Sequence, residues 1–267
     1  MWAFLQREPD ARDIRILGLF ILLITFHPFY LHGKINTYEL ELYLPGINGI
    51  LHGAVPYRDF FYLRGPFELY VPAALMAVLG KKMSVLAGYF YAGTVVTFIV
   101  SLLIAKELFR VRYILYLFVP VLVARTFPRV VFTYWGGMRY ALGLGAVYCT
   151  AKYFRSRSTT WLFRAGIFTA LSLLTSIEVG VSALLGVLAA LHFAFHFSSG
   201  EKKEIWPGAK KYLLGLAVVA GPYFIYLVLT GSLMPFAESV FTVATRLGTV
   251  ISPDVFNQNP RSPAQVM

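Results

Sequence analysis

Charge is scarce in this chain. Only 14% of its 267 residues are Asp, Glu, Lys or Arg, where a soluble domain carries about 25%. An ordinary solvated surface is excluded. Acid is scarcer than base, with 13 Asp and Glu against 24 Lys and Arg, and no acid occurs between Glu107 and Glu178. Cys149 is the one cysteine and sits inside an apolar run, which excludes a disulfide framework and a thiolate metal site. The histidines at 27, 32, 52, 192 and 196 lack the mutual spacing of metal ligands. His192 and His196 are one helical turn apart beside a basic loop, where a packed or interfacial role is expected. No repeat period or low-complexity linker divides the chain, so residues 1–251 are expected to form one transmembrane domain, with 252–267 a polar tail.

What is abundant is apolar surface: 58% of residues are hydrophobic and mean hydropathy is +0.65. Apolar runs near the ~18-residue spanning threshold recur at 14–31, 66–79, 84–105, 113–127, 138–154, 161–175, 179–197 and 212–229. Lipid leaves backbone groups no partner but each other, so runs of this kind form helices. The expectation is an all-α polytopic membrane protein with about seven or eight transmembrane helices. The net charge of +11 fits cytoplasmic loop bias and attraction to anionic membrane lipid, and no nucleic-acid motif accompanies it.

Basic clusters at Lys106/Arg110/Arg112, at Lys152/Arg155/Arg157/Arg164 and at Lys202/Lys203/Lys210/Lys211 read as cytoplasmic, as does the N-terminus with Arg12 and Arg15. The first apolar segment lacks a small-residue cleavage site and reads as an uncleaved anchor. Residues 32–65, the stretch around 127–137, Glu178 and the chain after Gly231 then face outward. Two apolar segments separate Arg64 from Lys106, whereas a change of side needs an odd number of crossings. The fourteen-residue run 66–79 is therefore expected to dip into the bilayer without crossing it.

Between the first two apolar segments lies "KINTYELELYLPGINGILHGAVPYRDFFYLRGP". Asn36 and Glu39 are spaced as a capping box. Ile47, Ile50 and Leu51 recur as on a helix lying flat on the membrane, and Pro45 predicts that this helix breaks into two short pieces. Gly53 ends the second piece and Pro56 turns the chain into Tyr57-Arg58-Asp59. Taken singly, Glu39 reads as a helix cap. Arg58–Asp59 reads as a surface ion pair contributing under ~1 kcal/mol, and the aromatics read as an interfacial belt. Together, two acids and two arginines beside the bilayer could hold a phosphate with a base next to it.

The stretch "YELELY…GILHGAVPYRDFFYLRGPFELYVPAALMAVLG" resembles the first outer loop of GT-C membrane glycosyltransferases, which include protein O-mannosyltransferases, aminoarabinose transferases of lipid A and lipopolysaccharide-core transferases. The family pattern is an acid, a surface helix ending in Gly, Tyr-Arg-Asp, a basic residue before Pro and an apolar helix ending in Gly. "AGIFTALSLLTSIEVGVSALLGVLAAL" and "GPYFIYLVLTGSLMPF" are similar to the family's middle helices, so the likeness runs from about residue 14 to 241. Counting back from Gly53, the family's acid falls on Glu39, and the basic residue before proline falls on Arg64. The chain departs from the pattern in having Glu rather than Asp, with Leu40 next and Glu41 beyond. Nothing matches the second acid that many members carry on a later helix. The short chain and its polar tail suggest a truncated or minimal version.

The resemblance implies a sugar donor on polyprenyl phosphate and a glycan, lipid or protein acceptor at the outer face of a plasma membrane, such as a bacterial inner membrane. Glu39 would be the base that takes the acceptor's proton. Arg64, assisted by Arg58, would hold the departing phosphate, with Asp59 orienting an arginine. Tyr57, Glu41, Arg139 and Glu178 complete the candidate substrate-binding set. Glu39 and Glu41 point away from each other on a helix, so no cofactor is expected and divalent metal is disfavoured. Arg125, Arg129 and Arg139 form a second basic group, and Glu178 is expected to pair with one of them. A lipid-phosphate or glycolipid transporter would share the arginines without needing Glu39, and an inactive truncated homologue is a further alternative.

Overall fold

A computed structural model describes residues 7–25, 37–62, 64–126, 133–197 and 202–250. Among the described residues the regular elements are ten helices: α1 (Ala11–Thr25), α2 (Thr37–Leu51), α3 (Phe67–Leu79), α4 (Met83–Leu108), α5 (Arg112–Thr126), α6 (Thr133–Ser156), α7 (Thr159–Thr175), α8 (Ile177–Phe197), α9 (Lys202–Leu229) and α10 (Leu233–Val250).

The centre is a row in which α4 packs on α6, α6 on α7 and α7 on α9. Around it, α8 lies against α6 and α7, and α1 and α5 lie against α4. The pair α2–α3 leans on the row through α3, which touches α4 and α7. The crossing of α7 on α9 depends on glycine. A Cβ at Gly166 would meet the Tyr212 carbonyl, and one at Gly215 would meet the Phe163 carbonyl. Lipid tails are as apolar as leucine, so helix association in a bilayer relies on such backbone-close packing. Several polar side chains inside the row are satisfied by nearby partners, although the buried Ser172 hydroxyl is not. Thr94 and Thr97 donate to carbonyls four residues back at 3.1 and 2.8 Å, and the Tyr212 hydroxyl donates to Thr169 at 3.1 Å. Leu185, Phe193, Val218, Phe224 and Ile225 are each at least half exposed. Helices apolar on their outer as well as their inner face belong in lipid.

Three helices are long and apolar enough to cross a membrane among the described residues: Met83–Leu108, Ile177–His196 and Trp206–Leu229. The expected seven or eight spans are therefore corrected to three among the described residues. The run 66–79 forms a 13-residue helix, about 20 Å long against a hydrocarbon core of about 30 Å. The runs 113–127 and 161–175 form helices of 15 and 17 residues, also short of a full crossing. The run 138–154 belongs to a helix of sufficient length that carries Arg139, Lys152 and Arg155 among its glycines and tyrosines. The run 14–31 is helical over Ala11–Thr25, and the rest of it lies outside the described residues. Several crossings remain, and the chain is a multi-pass membrane protein.

The outer connection is corrected as well. Instead of two short surface pieces there is one helix, α2, running through Pro45. Proline removes one backbone hydrogen bond and strains the preceding turn. Tertiary contact compensates, because Tyr43 and Ile47 are each 1% exposed and pack with Leu69 and Phe90. The stripe containing Ile47 thus faces α3 rather than lipid. Asn36, the expected cap, lies outside the described residues.

Candidate functional site

Past Leu51 the chain turns through Gly53, whose φ of 89° favours glycine. Residues 55–60 then close on Asp59. Its amide donates to the Val55 carbonyl at 2.9 Å, and its carboxylate accepts from the Val55 amide at 2.7 Å. Arg58 forks onto the same carboxylate, with Nε to Oδ1 at 2.8 Å and Nη2 to Oδ2 at 2.9 Å, and also reaches the Thr230 carbonyl after α9 at 3.5 Å. These bonds pull the Asp59 carboxyl down to about 2, the guanidinium bond contributing most and the Val55 amide next. The pair is solvent-exposed, so it fixes the loop more than it stabilises the fold.

Tyr57 has a φ of 71°, a left-handed conformation uncommon for a bulky side chain. The strain is held on three sides. The Tyr57 amide donates to the Phe60 carbonyl at 2.8 Å, and its ring meets Phe236 of α10 edge-on at 5.0 Å. Its buried hydroxyl donates to the Arg64 carbonyl, and burial raises the pKa of that hydroxyl above the ordinary range. An open groove of about 490 Å³ lies beside this loop, with Arg58, Asp59, Phe61, Glu238 and Ser239 in its walls.

Deeper in, Arg64 donates to the Tyr43 hydroxyl and, at 3.4 Å, to Glu68 in the first turn of α3. Glu68 is 4% exposed and also accepts from the Tyr43 and Tyr62 hydroxyls at 3.1 and 3.3 Å. The next residue locks the loop to the bundle. The Gly65 amide donates to the Thr175 carbonyl at 3.1 Å, and a Cβ there would collide with the Leu174 carbonyl. Three residues past the end of α7, Glu178 meets Nη1 of Arg139 at 3.4 Å. Arg139 is buried in α6, while the Glu178 side chain is 61% exposed.

The structure therefore gathers Tyr57, Arg64, Arg139 and Glu178 at one end of the bundle, and places Arg58 and Asp59 at its rim. The carboxylate beside Arg139 is Glu178, so the pairing expected of Glu178 with one of the three arginines is made with this member. The side chains of Arg125, Glu39 and Glu41, and the whole of Arg129, lie outside the described residues. Glu39 occupies the α2 position one turn before Tyr43. Glu68 is the residue that sequence reasoning passed over. Its signal was an acid four residues after Arg64, opening an otherwise apolar helix, where ionisable groups are functional candidates by default.

Each arginine meets an acid here: Arg58 with Asp59, Arg64 with Glu68 and Arg139 with Glu178. An arriving phosphate competes with exposed Glu178 for Arg139 more easily than with buried Glu68 for Arg64, because solvent already screens the first pair. Among the described residues, no three His, Cys, Asp or Glu side chains gather in a metal-binding group.

No protein-family model, curated protein or solved structure matches the chain. Fold and spans define the class: an all-α, multi-pass membrane protein.

Proposed function

We propose that the chain is a membrane glycosyltransferase that moves a sugar from polyprenyl phosphate to a hydroxyl of a glycan, lipid or protein acceptor. The site would face outward from a plasma membrane, such as a bacterial inner membrane, with the N-terminus in the cytoplasm. The reading starts from the likeness of residues 38–80 to the first outer loop of GT-C enzymes. The observation that supports it most is the docking of that loop: Gly65 seats it on the end of α7, so that Arg64, Glu68, Arg139 and Glu178, from three parts of the chain, share one end of the bundle.

In this reaction Glu39 takes the acceptor hydroxyl's proton while the oxygen attacks the anomeric carbon. The bond from that carbon to the phosphate oxygen breaks, its electron pair leaves with the phosphate, and the configuration inverts. Arg64 and Arg139 carry the charge growing on the departing phosphate. Glu68 positions Arg64 directly and through the shared Tyr43 hydroxyl, and the groove beside Arg58 and Phe61 offers open space for an acceptor.

Transfer of labelled sugar from polyprenyl phosphate in reconstituted membranes tests this. Wild type transfers, Glu39→Gln loses on the order of 10²-fold or more, and Arg64→Ala loses comparably. Undiminished transfer by Glu39→Gln removes the base assignment. Wild-type protein that moves intact donor across the bilayer, and transfers no sugar, is a transporter instead.

A further inference from the structure

The opposite end of α4 and α6 holds a second cavity, of about 580 Å³. It is walled by Lys106 in the last turn of α4, Arg110 just beyond it, Arg155 near the end of α6, and Glu8–Pro9 before α1. The floor is apolar, with Leu108, Phe109, Ala151 and Phe154.

Two buried ion-pair systems build this space. Glu107, its side chain 5% exposed, accepts from Lys152 at 3.0 Å and Arg155 at 3.1 Å, tying α4 to α6 and setting Arg155 at the rim. Arg112, its side chain 6% exposed, bonds Asp13 at 2.8 Å and Asp10 at 3.1 Å, and its amide donates to the Arg7 carbonyl at 2.9 Å. That clamp holds the segment before α1 in place as the third wall. Glu107 is thus engaged by two cations, and Glu8 alone opposes Lys106 and Arg110 at the wall, leaving the cavity positive.

Its depth is marked independently. The Trp161 ring lies 5.9 Å from the Lys152 ammonium and 4.7 Å from the Arg164 guanidinium, and exposed Trp206 lies 5.7 Å from Lys210. Tryptophans beside cations collect at the level of lipid headgroups. The C-termini of α4 and α6 also favour cations, but Lys106 and Arg155 already serve them. Dipole compensation needs neither a cavity nor Arg110 beyond the helix end.

We propose that this cavity binds the phosphate headgroup of an anionic phospholipid. Lys106, Arg110 and Arg155 contact the phosphate, and the apolar floor takes the glycerol and upper acyl carbons. A free phosphate ion matches the cations but not the floor. The proposal is independent of the transferase reading.

The test uses the purified full chain in nanodiscs of phosphatidylcholine, with and without phosphatidylglycerol. Lipid retention is read by native mass spectrometry and stability by thermal unfolding. Wild type retains phosphatidylglycerol over phosphatidylcholine and unfolds at a higher temperature with it. Lys106→Gln/Arg110→Gln weakens retention roughly thirtyfold, and Arg110→Gln alone, at an exposed position that folding does not need, about fivefold. Lys210→Gln/Lys211→Gln removes equal charge outside the cavity and leaves most retention intact. The proposal is overturned if wild type shows no preference, or if the Lys210/Lys211 variant loses as much as the cavity variant. Inorganic phosphate raising the unfolding temperature as far as phosphatidylglycerol would assign a free-anion site and overturn the lipid assignment.

Discussion

Gly65→Ala is the sharpest perturbation of the loop's docking. The new methyl points at the Leu174 carbonyl, and the amide it accompanies donates to the Thr175 carbonyl at 3.1 Å. The obstacle is helix backbone, so no rotamer change relieves it and the loop must lift away from α7. Lifting breaks a buried hydrogen bond, a loss of about 1–3 kcal/mol, and the overpacking that remains adds about 1–3 kcal/mol. The expected destabilisation is therefore between about 2 and 6 kcal/mol, and Arg64, one residue away, leaves its place between Tyr43 and Glu68. Thermal unfolding of purified protein in detergent measures the first effect, and sugar transfer the second. Gly88→Ala is the matched control, since its Cβ would meet nothing within 4 Å. Helix propensity then predicts no loss and a gain of up to about 1 kcal/mol. If Gly65→Ala unfolds with the wild-type midpoint, the loop is not seated on α7 and the site described above does not form.

Three further outcomes follow from the same contacts. Arg64→Met leaves Glu68 buried without its guanidinium and should lower stability by about 3–5 kcal/mol. Adding Glu68→Gln should restore much of that in a double-mutant cycle, and additive losses would show that the two are not coupled. Asp59 titrates near 2 in the folded chain against an ordinary 3.8, so its contribution is complete above about pH 4 and is lost as pH falls through about 2. The gap in unfolding midpoint between wild type and Asp59→Asn should accordingly close in acid, and a gap that widens there contradicts the bonding at Val55 and Arg58. Gly215→Ala should force α7 from α9 and lower stability by about 1–3 kcal/mol, whereas Gly186→Ala, with open space at its Cβ, should not. Equal midpoints for the two glycine variants would mean that α7 and α9 do not meet through Gly166 and Gly215.

Much of the site's raw material was legible in the sequence, while its pairing was not. Composition sufficed for a helical membrane protein because lipid permits few other backbones. It overcounted the spans because apolar runs carry no label for the side they face. The runs 66–79 and 161–175 spend part of their apolar surface on burial against protein: Leu69 and Leu162 are each 0% exposed, and both helices are shorter than the three spans. Pro45 misled for a related reason. Proline's local cost is readable from one residue, whereas the compensating burial of Tyr43 and Ile47 needs the position of α3. The partner of Glu178 was expected among three arginines and proved to be Arg139, since a helix start brings those residues to one level.

Glu68 shows what lies beyond local pattern. Its spacing from Arg64 was visible, but the two tyrosines that complete its shell come from residues 43 and 62, on opposite sides of the turn. A buried ion pair gains little net stability over an apolar replacement, because desolvation offsets most of the attraction. What the pair does is restrict geometry. With Gly65 bonded to α7 and Tyr57 bonded to the Arg64 carbonyl, the backbone on both sides of the guanidinium is held while it donates to Glu68 and Tyr43 together. A loop selected only for solubility would have no use for such a constraint. A loop that must present one arginine at a set depth does, and for that reason the buried Glu68 is a better guide to the working end of this bundle than the exposed Arg58–Asp59 pair.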